Sequence, residues 1–366
     1  MSDTAYMAEA VRLANRGVYS THPNPNVGCV IVSEGEIVGR GWHARAGEPH
    51  AEVFALREAG ERARGADVYV TLEPCSHQGR TPPCADALIK AGVRRVVAAM
   101  QDPNPRVAGE GLERLKAAGI GVETGLLEAQ ARELNPGFIS RLERGRPWVR
   151  LKLAASLDGR TAMASGESQW ITGVAARQDV QRLRARSTAV VTGIATVLAD
   201  NPAMNVRLDA QQLNGVEPVR QPLRVVMDSQ LRMPATAKTL LLPGGVLVLT
   251  ANGDQAAWQA LQHAGAEVAL VEEHDGRVSP AAALELLAQR DVNDVLLECG
   301  PTLAGAFMVA GLVDELVLYL APHLMGDAAR GLLSLPGLEK MQDRIELEWM
   351  DVRQVGTDLR ITARPV

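Results

Sequence analysis

The sequence predicts an α/β protein built as two layered domains, and three observations carry that expectation. At 366 residues the chain is long enough to bury two separate cores. Helix-spaced and strand-like apolar segments alternate through both halves, the pattern of sheets flanked by helices. A polar, arginine-rich passage at 141–147 separates the halves and sets the expected domains at 1–145 and 146–366.

In the first half, Tyr6, Met7, Ala10, Val11, Leu13 and Ala14 repeat at helical spacing, and Gly17 is a natural stop. The segment T-H-P-N-P-N-V-G at 21–28 is a rigid proline loop, in which Asn24 and Asn26 either satisfy backbone groups or face a heterocycle. Residues 27–32 and 36–42 read as a hairpin around Ser33-Glu34-Gly35, with Cys29 as a core residue. A helix is expected to start near Pro49 and run to Gly60, and a strand to cover 67–72. A helix at 81–91, a strand at 93–100, a loop at 101–105, a helix at 106–118 and a strand at 119–124 follow.

Three donors stand out within this pattern. His50, Cys75 and Cys84 offer one imidazole and two thiolates, a soft set suited to zinc. Three protein ligands leave a fourth tetrahedral position for water, as in catalytic zinc sites, and Glu52 is placed to act as general acid and base beside it. H-A-E at 50–52 and P-C at 74–75 match the signature of zinc nucleobase deaminases, except that eight residues rather than two separate the cysteines. The plainer alternatives are a structural zinc closed by His77, or buried residues without metal. Both metal-bearing pieces fall near helix N-termini, where the positive dipole end favours thiolate.

Composition limits the partners. A hydrophobic share of 46% with 22% charged residues is that of a globular protein, and a net charge of −5 argues against a nucleic-acid partner. Four cysteines without close pairing suggest a reducing compartment. The N-terminus has acidic residues and helical spacing rather than a basic region and an apolar core, and no apolar run reaches membrane-spanning length. No membrane association and a cytoplasmic location are expected.

The second half opens with an alternating strand at 148–155, a polar loop at 165–172 and an arginine-rich helix at 175–186. Strands are expected at 189–192, 223–227, 246–249, 294–298 and 315–320 and within 344–364, with loops at 208–220 and 229–245. No G-x-G-x-x-G follows the first strand. G-P-T-L-A-G at 300–305 is a strand-to-helix turn able to bind phosphate, a weak signal by itself. Arg184 and Arg207 are candidates for an anion clamp, although from the residues alone a solvated helix face and a solvated loop are the preferred reading.

The motifs resemble known families. H-P-N-P-N-V-G-C-V-I, A-G-E-P-H-A-E and T-L-E-P-C-S-H-Q-G-R-T-P-P-C are similar to the riboflavin-biosynthesis deaminases of the cytidine-deaminase superfamily, longer cysteine spacing included. The resemblance covers about residues 1–145. K-L-A-A-S-L-D-G-R, S-G-E-S-Q-W-I-T, T-V-L-A-D-N-P and E-C-G-P-T-L-A-G resemble the riboflavin-pathway reductase domain over about residues 147–366. Together they resemble the bifunctional pyrimidine deaminase/reductase family.

That resemblance implies an N-terminal cytidine-deaminase-like α/β/α domain and a C-terminal dihydrofolate-reductase-like α/β domain. It implies one Zn2+ on His50, Cys75 and Cys84, with Glu52 moving protons and Asn24, His77, Asp102 and Asn104 near the substrate. In the second domain Ala154, Trp170, Thr196, Asp200, Ser229 and the turn Gly300, Pro301, Thr302, Leu303, Ala304, Gly305 and Ala306 would hold NADPH. Ser168, Arg184, Met204, Arg207 and Glu298 would hold a phosphorylated pyrimidine, with Lys152 and Asp200 assisting protonation. A homo-oligomer, favouring a dimer, is also implied. Cys299 stands where Gly or Ala is expected and would place an oxidisable thiol beside the cofactor. Two rival readings are a nucleoside or tRNA deaminase fused to an unrelated reductase, and a structural-zinc nucleotide-sensing module.

Overall fold

The helix-spaced residues at the start of the chain form α1 (Asp3–Ala14), whose Ser2 hydroxyl accepts from the Ala5 N–H, and a 3-10 turn carries the chain to Gly17. The computed structural model describes residues 1–77, 82–105 and 107–366, which divide into the units Met1–Gly145 and Arg146–Val366. In the first unit α1 is followed by β1 (Gly28–Ser33), β2 (Glu36–Trp42), α2 (Ala51–Ala59), β3 (Asp67–Val70), α3 (Cys84–Ala91) and β4 (Arg95–Ala98). Then come α4 (Glu110–Ala117), β5 (Gly121–Thr124), α5 (Glu128–Leu134) and α6 (Pro136–Arg144).

The sheet order is β2-β1-β3-β4-β5, with β1 antiparallel to both neighbours and β3, β4 and β5 parallel. Since β2 runs the same way as β3, the C-terminal ends of β2, β3 and β4 and the start of β1 share one edge. Side-chain alternation builds the layers. Cys29 and Ile31 pack with Ala55, Leu88 and Leu115 from α2, α3 and α4. Val30 and Val32 turn to the opposite face, with Met7, Leu13, Ala131 and Ile139 from α1, α5 and α6. The unit is an α/β/α sandwich.

The second unit contains β6 (Trp148–Ser156), β7 (Arg160–Ala162), α7 (Val174–Arg186), β8 (Ala189–Gly193), α8 (Ile194–Asp200), β9 (Leu223–Met227), α9 (Lys238–Leu241) and β10 (Val246–Thr250). It continues through α10 (Gln255–His263), β11 (Glu267–Leu270), β12 (Glu273–His274), β13 (Arg277–Val278), α11 (Pro280–Gln289), β14 (Asp294–Leu297) and α12 (Pro301–Val309). β15 (Glu315–Ala321), β16 (Arg330–Gly331), β17 (Leu347–Val355) and β18 (Asp358–Pro365) complete it. Nine strands run in the order β11-β10-β9-β8-β14-β6-β15-β18-β17, parallel from β11 to β15, with β18 and β17 antiparallel at one side. Two apolar faces sandwich it: Leu151, Val295 and Phe307 lie in one cluster, and Val190, Leu296 and Leu183 of α7 in another.

Several expected boundaries move, each for a local reason. The helix expected from Pro49 begins at Ala51, because His50 is extended (φ −74°, ψ 166°) and stands outside the helical surface as its cap. The helix expected over 81–91 begins at Cys84 after the extended Pro83, and Thr81 lies outside the described residues. Of the helix expected over 106–118, Arg106 lies outside the described residues, and α4 starts at Glu110 because Gly109 is left-handed (φ 84°), ending at Ala117. The passage at 141–147 is not all linker: α6 carries the chain to Arg144, burying Ile139 against the sheet. The loop expected over 229–245 contains the single turn α9; the carbonyl groups of Thr239 within it, and of Leu242 and Gly244 after it, accept from the buried Arg224 guanidinium.

Among the described residues no helix is long and apolar enough to cross a membrane.

α2 lies so close to β2 that a Cβ on Gly41 would sit 2.0 Å from the carbonyl oxygen of Ala51. Gly41→Ala should therefore push the first turn of α2 away, costing about 1–3 kcal/mol in urea unfolding. His50 adjoins that turn, so metal analysis after dialysis should show weaker zinc retention. Unchanged stability would mean that the helix slides without cost.

Candidate active site

The shared edge of the first sheet gathers the predicted donors. His50 caps α2, Cys75 follows β3, and Cys84 begins α3. The His50 Nδ1 lies 3.6 Å from the Cys75 sulfur and 3.3 Å from that of Cys84, and all three donor atoms fall within 4.8 Å of one another. Among the described residues no fourth His, Cys, Asp or Glu joins the cluster, and His77 is exposed outside it. One nitrogen and two sulfurs converging on a point, with one tetrahedral position left over, fit zinc of the catalytic kind. The Cys75 thiol is held below its ordinary range by hydrogen bonding with Cys84, whose N–H lies 3.3 Å from its sulfur, and with His50.

Glu52, on the first turn of α2, is 3% exposed. Burial pushes its carboxyl up to about 7, against the opposing pull of His50, so the group can both take and return a proton near neutral pH. Asn24 reaches the site through a residue that carries no motif of its own. Its Nδ2 lies 3.1 Å from Nε2 of His43, whose Nδ1 lies 3.2 Å from the Pro49 carbonyl oxygen. The His43 ring stands edge-on to His50 with centroids 5.3 Å apart. Position at the end of β2 is its only sequence signal.

Asp102 and Asn104 lie in the loop after β4, on the same edge. The Asp102 carboxylate accepts from the Asn104 N–H at 2.8 Å, and burial raises its pKa. A second residue that sequence reasoning misses, Glu73, is buried beneath that loop.

In the second unit the candidate residues collect at the C-terminal ends of neighbouring parallel strands. Lys152 and Ala154 lie on β6, in register with Val317 and Tyr319. Glu298 follows β14 and accepts two bonds from Arg184 of α7, at 2.6 and 2.9 Å, while Arg184 Nη1 donates to the Asn205 carbonyl at 3.1 Å. Burial pushes Glu298 up, but Arg184, Lys152 and Arg207 outweigh it and hold the carboxyl below its ordinary value. Burial lowers Lys152, with Glu298 pulling the other way. Arg207 is exposed at the rim, and its backbone N–H is held by Gln181 at 2.9 Å. Met204 is 2% exposed with φ 54°, in the left-handed region, and Gln221 brackets the next segment through both Val206 N and O. Gln181 and Gln221 carry no sequence signal beyond being polar.

The proposed cofactor residues occupy the adjoining strand ends. Thr196 is on α8 after β8, Ser229 follows β9, and Gly300 caps α12 after β14. A Cβ on Gly300 would lie 3.9 Å from Thr196 Oγ1, and one on Gly193 would lie 3.1 Å from Leu303 Cδ2, so the two helix starts flank a narrow cradle. Helix geometry leaves the Thr302 and Leu303 N–H groups without an i−4 carbonyl, as an anionic cofactor requires. The turn is used unevenly. Pro301 has no N–H, Ala304 is buried in the core, and a Cβ on Gly305 would collide with the Ser334 carbonyl at 1.8 Å, while Ala306 is exposed. Ser168 is partly buried, Trp170 is 68% exposed beneath the Arg177 guanidinium at 4.6 Å, and Asp200 is the exposed last residue of α8. The groups acting electrostatically on Lys152 are Glu298 and Arg184, not Asp200. Burial raises the pKa of the Cys299 thiol far above its ordinary range, which disfavours the thiolate form.

Known proteins share this arrangement. Residues 147–361 match the RibD C-terminal domain family, and residues 1–100 match the cytidine and deoxycytidylate deaminase zinc-binding region. The riboflavin biosynthesis protein RibD of Escherichia coli K12 is 55% identical, over 98% of each chain. The chain belongs to the RibD family. The solved RibD of Acinetobacter baumannii, form 1, is 49% identical with a TM-score of 0.91, covering 100% of this chain and 99% of that one. A Thermotoga maritima deaminase/reductase is 32% identical with a TM-score of 0.86, covering 99% and 98%. Membership makes this chain a bifunctional deaminase and reductase of riboflavin biosynthesis, using Zn2+ in one activity and NADPH in the other. A fusion of a nucleoside or tRNA deaminase to an unrelated reductase is not favoured, because the E. coli relative matches across both halves.

The raised value of Glu52 has a stability consequence. A carboxyl whose folded pKa exceeds its unfolded one favours folding below the unfolded value, about 4.5, and loses that contribution as pH rises through about 7. Metal-free protein should lose roughly 3 kcal/mol over this window in pH-dependent unfolding. Glu52→Gln should remove that slope and retain zinc. It should also lower deamination roughly 10²–10⁴-fold. Normal ammonia release by the variant would assign proton transfer to another group.

Proposed function

We propose that residues 1–145 deaminate 2,5-diamino-6-ribosylamino-4(3H)-pyrimidinone 5′-phosphate and that residues 146–366 then reduce its ribosyl group, giving 5-amino-6-(5-phosphoribitylamino)uracil. The observation that carries the deaminase half is the convergence of His50, Cys75 and Cys84 beside the buried Glu52. Zinc bound to these three residues supplies the Lewis acidity that activates a water for attack on the amine-bearing ring carbon. Glu52 accepts that water's proton and delivers it to the departing nitrogen, which leaves as ammonia. Asn24, His77, Asp102 and Asn104 hold the pyrimidine, with Asn24 oriented by His43.

In the reductase half, NADPH supplies the hydride that reaches C1′ of the sugar. Ala154, Trp170, Thr196, Asp200, Ser229 and the turn at 300–306 hold the cofactor. Within that turn, the N–H groups of Thr302 and Leu303 serve best. Ser168, Met204, Arg184, Arg207 and Glu298 hold the substrate. Lys152, with a pKa lowered by burial, donates the proton that the sugar oxygen gains. Arg184 is already engaged by Glu298 and the Asn205 carbonyl, so the exposed Arg207 is the principal cation for the phosphate.

The enzyme acts in the cytoplasm as a homo-oligomer, favouring a dimer. Support for the latter comes from β17, an edge strand with Trp349 64% and Val352 58% exposed. Trp349→Glu combined with Val352→Glu should reduce the mass measured by light scattering; an unchanged mass would move the interface elsewhere.

A coupled assay on zinc-loaded protein tests the sequence of reactions: ammonia should appear first, followed by loss of NADPH absorbance. No ammonia from metal-replete protein would support a structural zinc instead. Arg207→Ala should raise the reductase KM by about tenfold or more for the phosphorylated substrate, the scale of removing a hydrogen bond to a charged group. It should leave the KM for a dephosphorylated analogue unchanged, and equal effects on both would remove the phosphate contact.

A further inference from the structure

The glutamate of the E-P-C motif has no part in the chemistry above, yet its carboxylate accepts from four backbone N–H groups close to the zinc cluster. Glu73 is 5% exposed. Its Oε2 accepts from the N–H of Asp102 at 3.1 Å and of Gly109 at 2.9 Å. Its Oε1 accepts from Gly111 at 2.8 Å and Leu112 at 3.4 Å. Four donors therefore meet an anion that can only accept.

The bonds do two things at once. Gly109 offers α4 no side-chain cap, and Glu73 caps that helix from another segment, with its charge at the positive dipole end. The same carboxylate holds the start of the Asp102–Asn104 loop. Two residues beyond Glu73 lies Cys75, so the arm carrying a metal donor and the loop carrying the proposed substrate contacts share one anchor. Two further interactions tighten the seam. Ser76 Oγ donates to Glu110 at 2.9 Å, and a Cβ on Gly111 would stand 2.0 Å from the Pro74 carbonyl oxygen, so α4 rests directly on the cysteine arm.

We propose that Glu73 is a positioning residue for deamination, setting the separation between the Cys75 arm and the Asp102–Asn104 loop and thereby the fit of the pyrimidine against the zinc site. This rests on the proposed reading of Asp102 and Asn104 as substrate contacts.

Glu73→Gln tests it with little change in shape. An amide keeps one acceptor oxygen and turns an NH2 group towards two N–H donors, so one pair of bonds disappears. Deamination should show a KM raised by about tenfold or more with kcat changed less than about threefold, because the displaced loop acts on substrate binding. Zinc content and the reductase rate of the same chain, measured on the deaminated substrate, should stay at wild-type values. A wild-type KM with activity reduced only in proportion to bound zinc would overturn the proposal and leave Glu73 a plain structural staple.

Asp102→Ala separates the two levels. If it keeps the wild-type KM, the substrate reading of the loop fails, and the positioning role with it. If it raises KM while Glu73→Gln does not, the loop reading stands and the role of Glu73 falls. Should Glu73→Gln not fold, Ser76→Ala loosens the same seam, and a raised KM there supports the proposal while an unchanged one overturns it.

Discussion

Parallel strands joined by helical crossovers all end at one edge of a sheet, and this chain brings its chemistry to that edge twice. In the first sheet the antiparallel β1 restores β2 to the direction of β3 and β4. His43 and His50, Cys75, and Asp102 therefore leave the same side, joined by Asn24 arriving at the start of β1. In the second sheet β9, β8, β14 and β6 end side by side. That order juxtaposes Ser229, Thr196, Gly300 and Glu298 from segments that are remote from one another along the chain. Helices that start at these ends add their positive dipoles where thiolates and phosphates must be held.

Both sites then solve the same electrostatic problem. A carboxylate removed from water is costly unless charges or donors replace its hydration. Glu298 is compensated by Arg184, Lys152 and Arg207 and remains ionised. Glu73 is compensated by four backbone N–H groups. Glu52 is compensated least, and its raised pKa is the property that a proton shuttle needs. Burial alone does not distinguish these three glutamates. Their partners do: cations surround Glu298, backbone N–H groups hold Glu73, and Glu52 has the least compensation.

Local signals make much of the fold legible. The hairpin turn is readable because Glu34 and Gly35 must adopt positive φ (51° and 80°), and glycine supplies that most easily. Strands of four or more apolar residues stand out against polar turns. Helix starts are the weaker part: His50 and Gly109 take non-helical conformations that serve the site, so neighbouring propensities misplace the first turns. α6 is hidden because its arginines look like a linker, while Ile139 packs into the apolar cluster beside the small buried residues Gly137 and Ser140.

The sequence by itself determined the donor chemistry. One histidine, two cysteines and a nearby glutamate restrict the metal and the reaction type whatever the backbone does, because ligand softness and proton affinity belong to side chains. Only the tertiary structure decided which groups are consumed by their neighbours. Arg184 and Arg207 are the same residue type, yet one is locked to Glu298 and the other exposed at the rim. Glu73, His43, Gln181 and Gln221 acquire their roles through partners that are remote in sequence, except where His43 meets Pro49. Hydrogen bonds of that kind depend on distances that no linear spacing encodes.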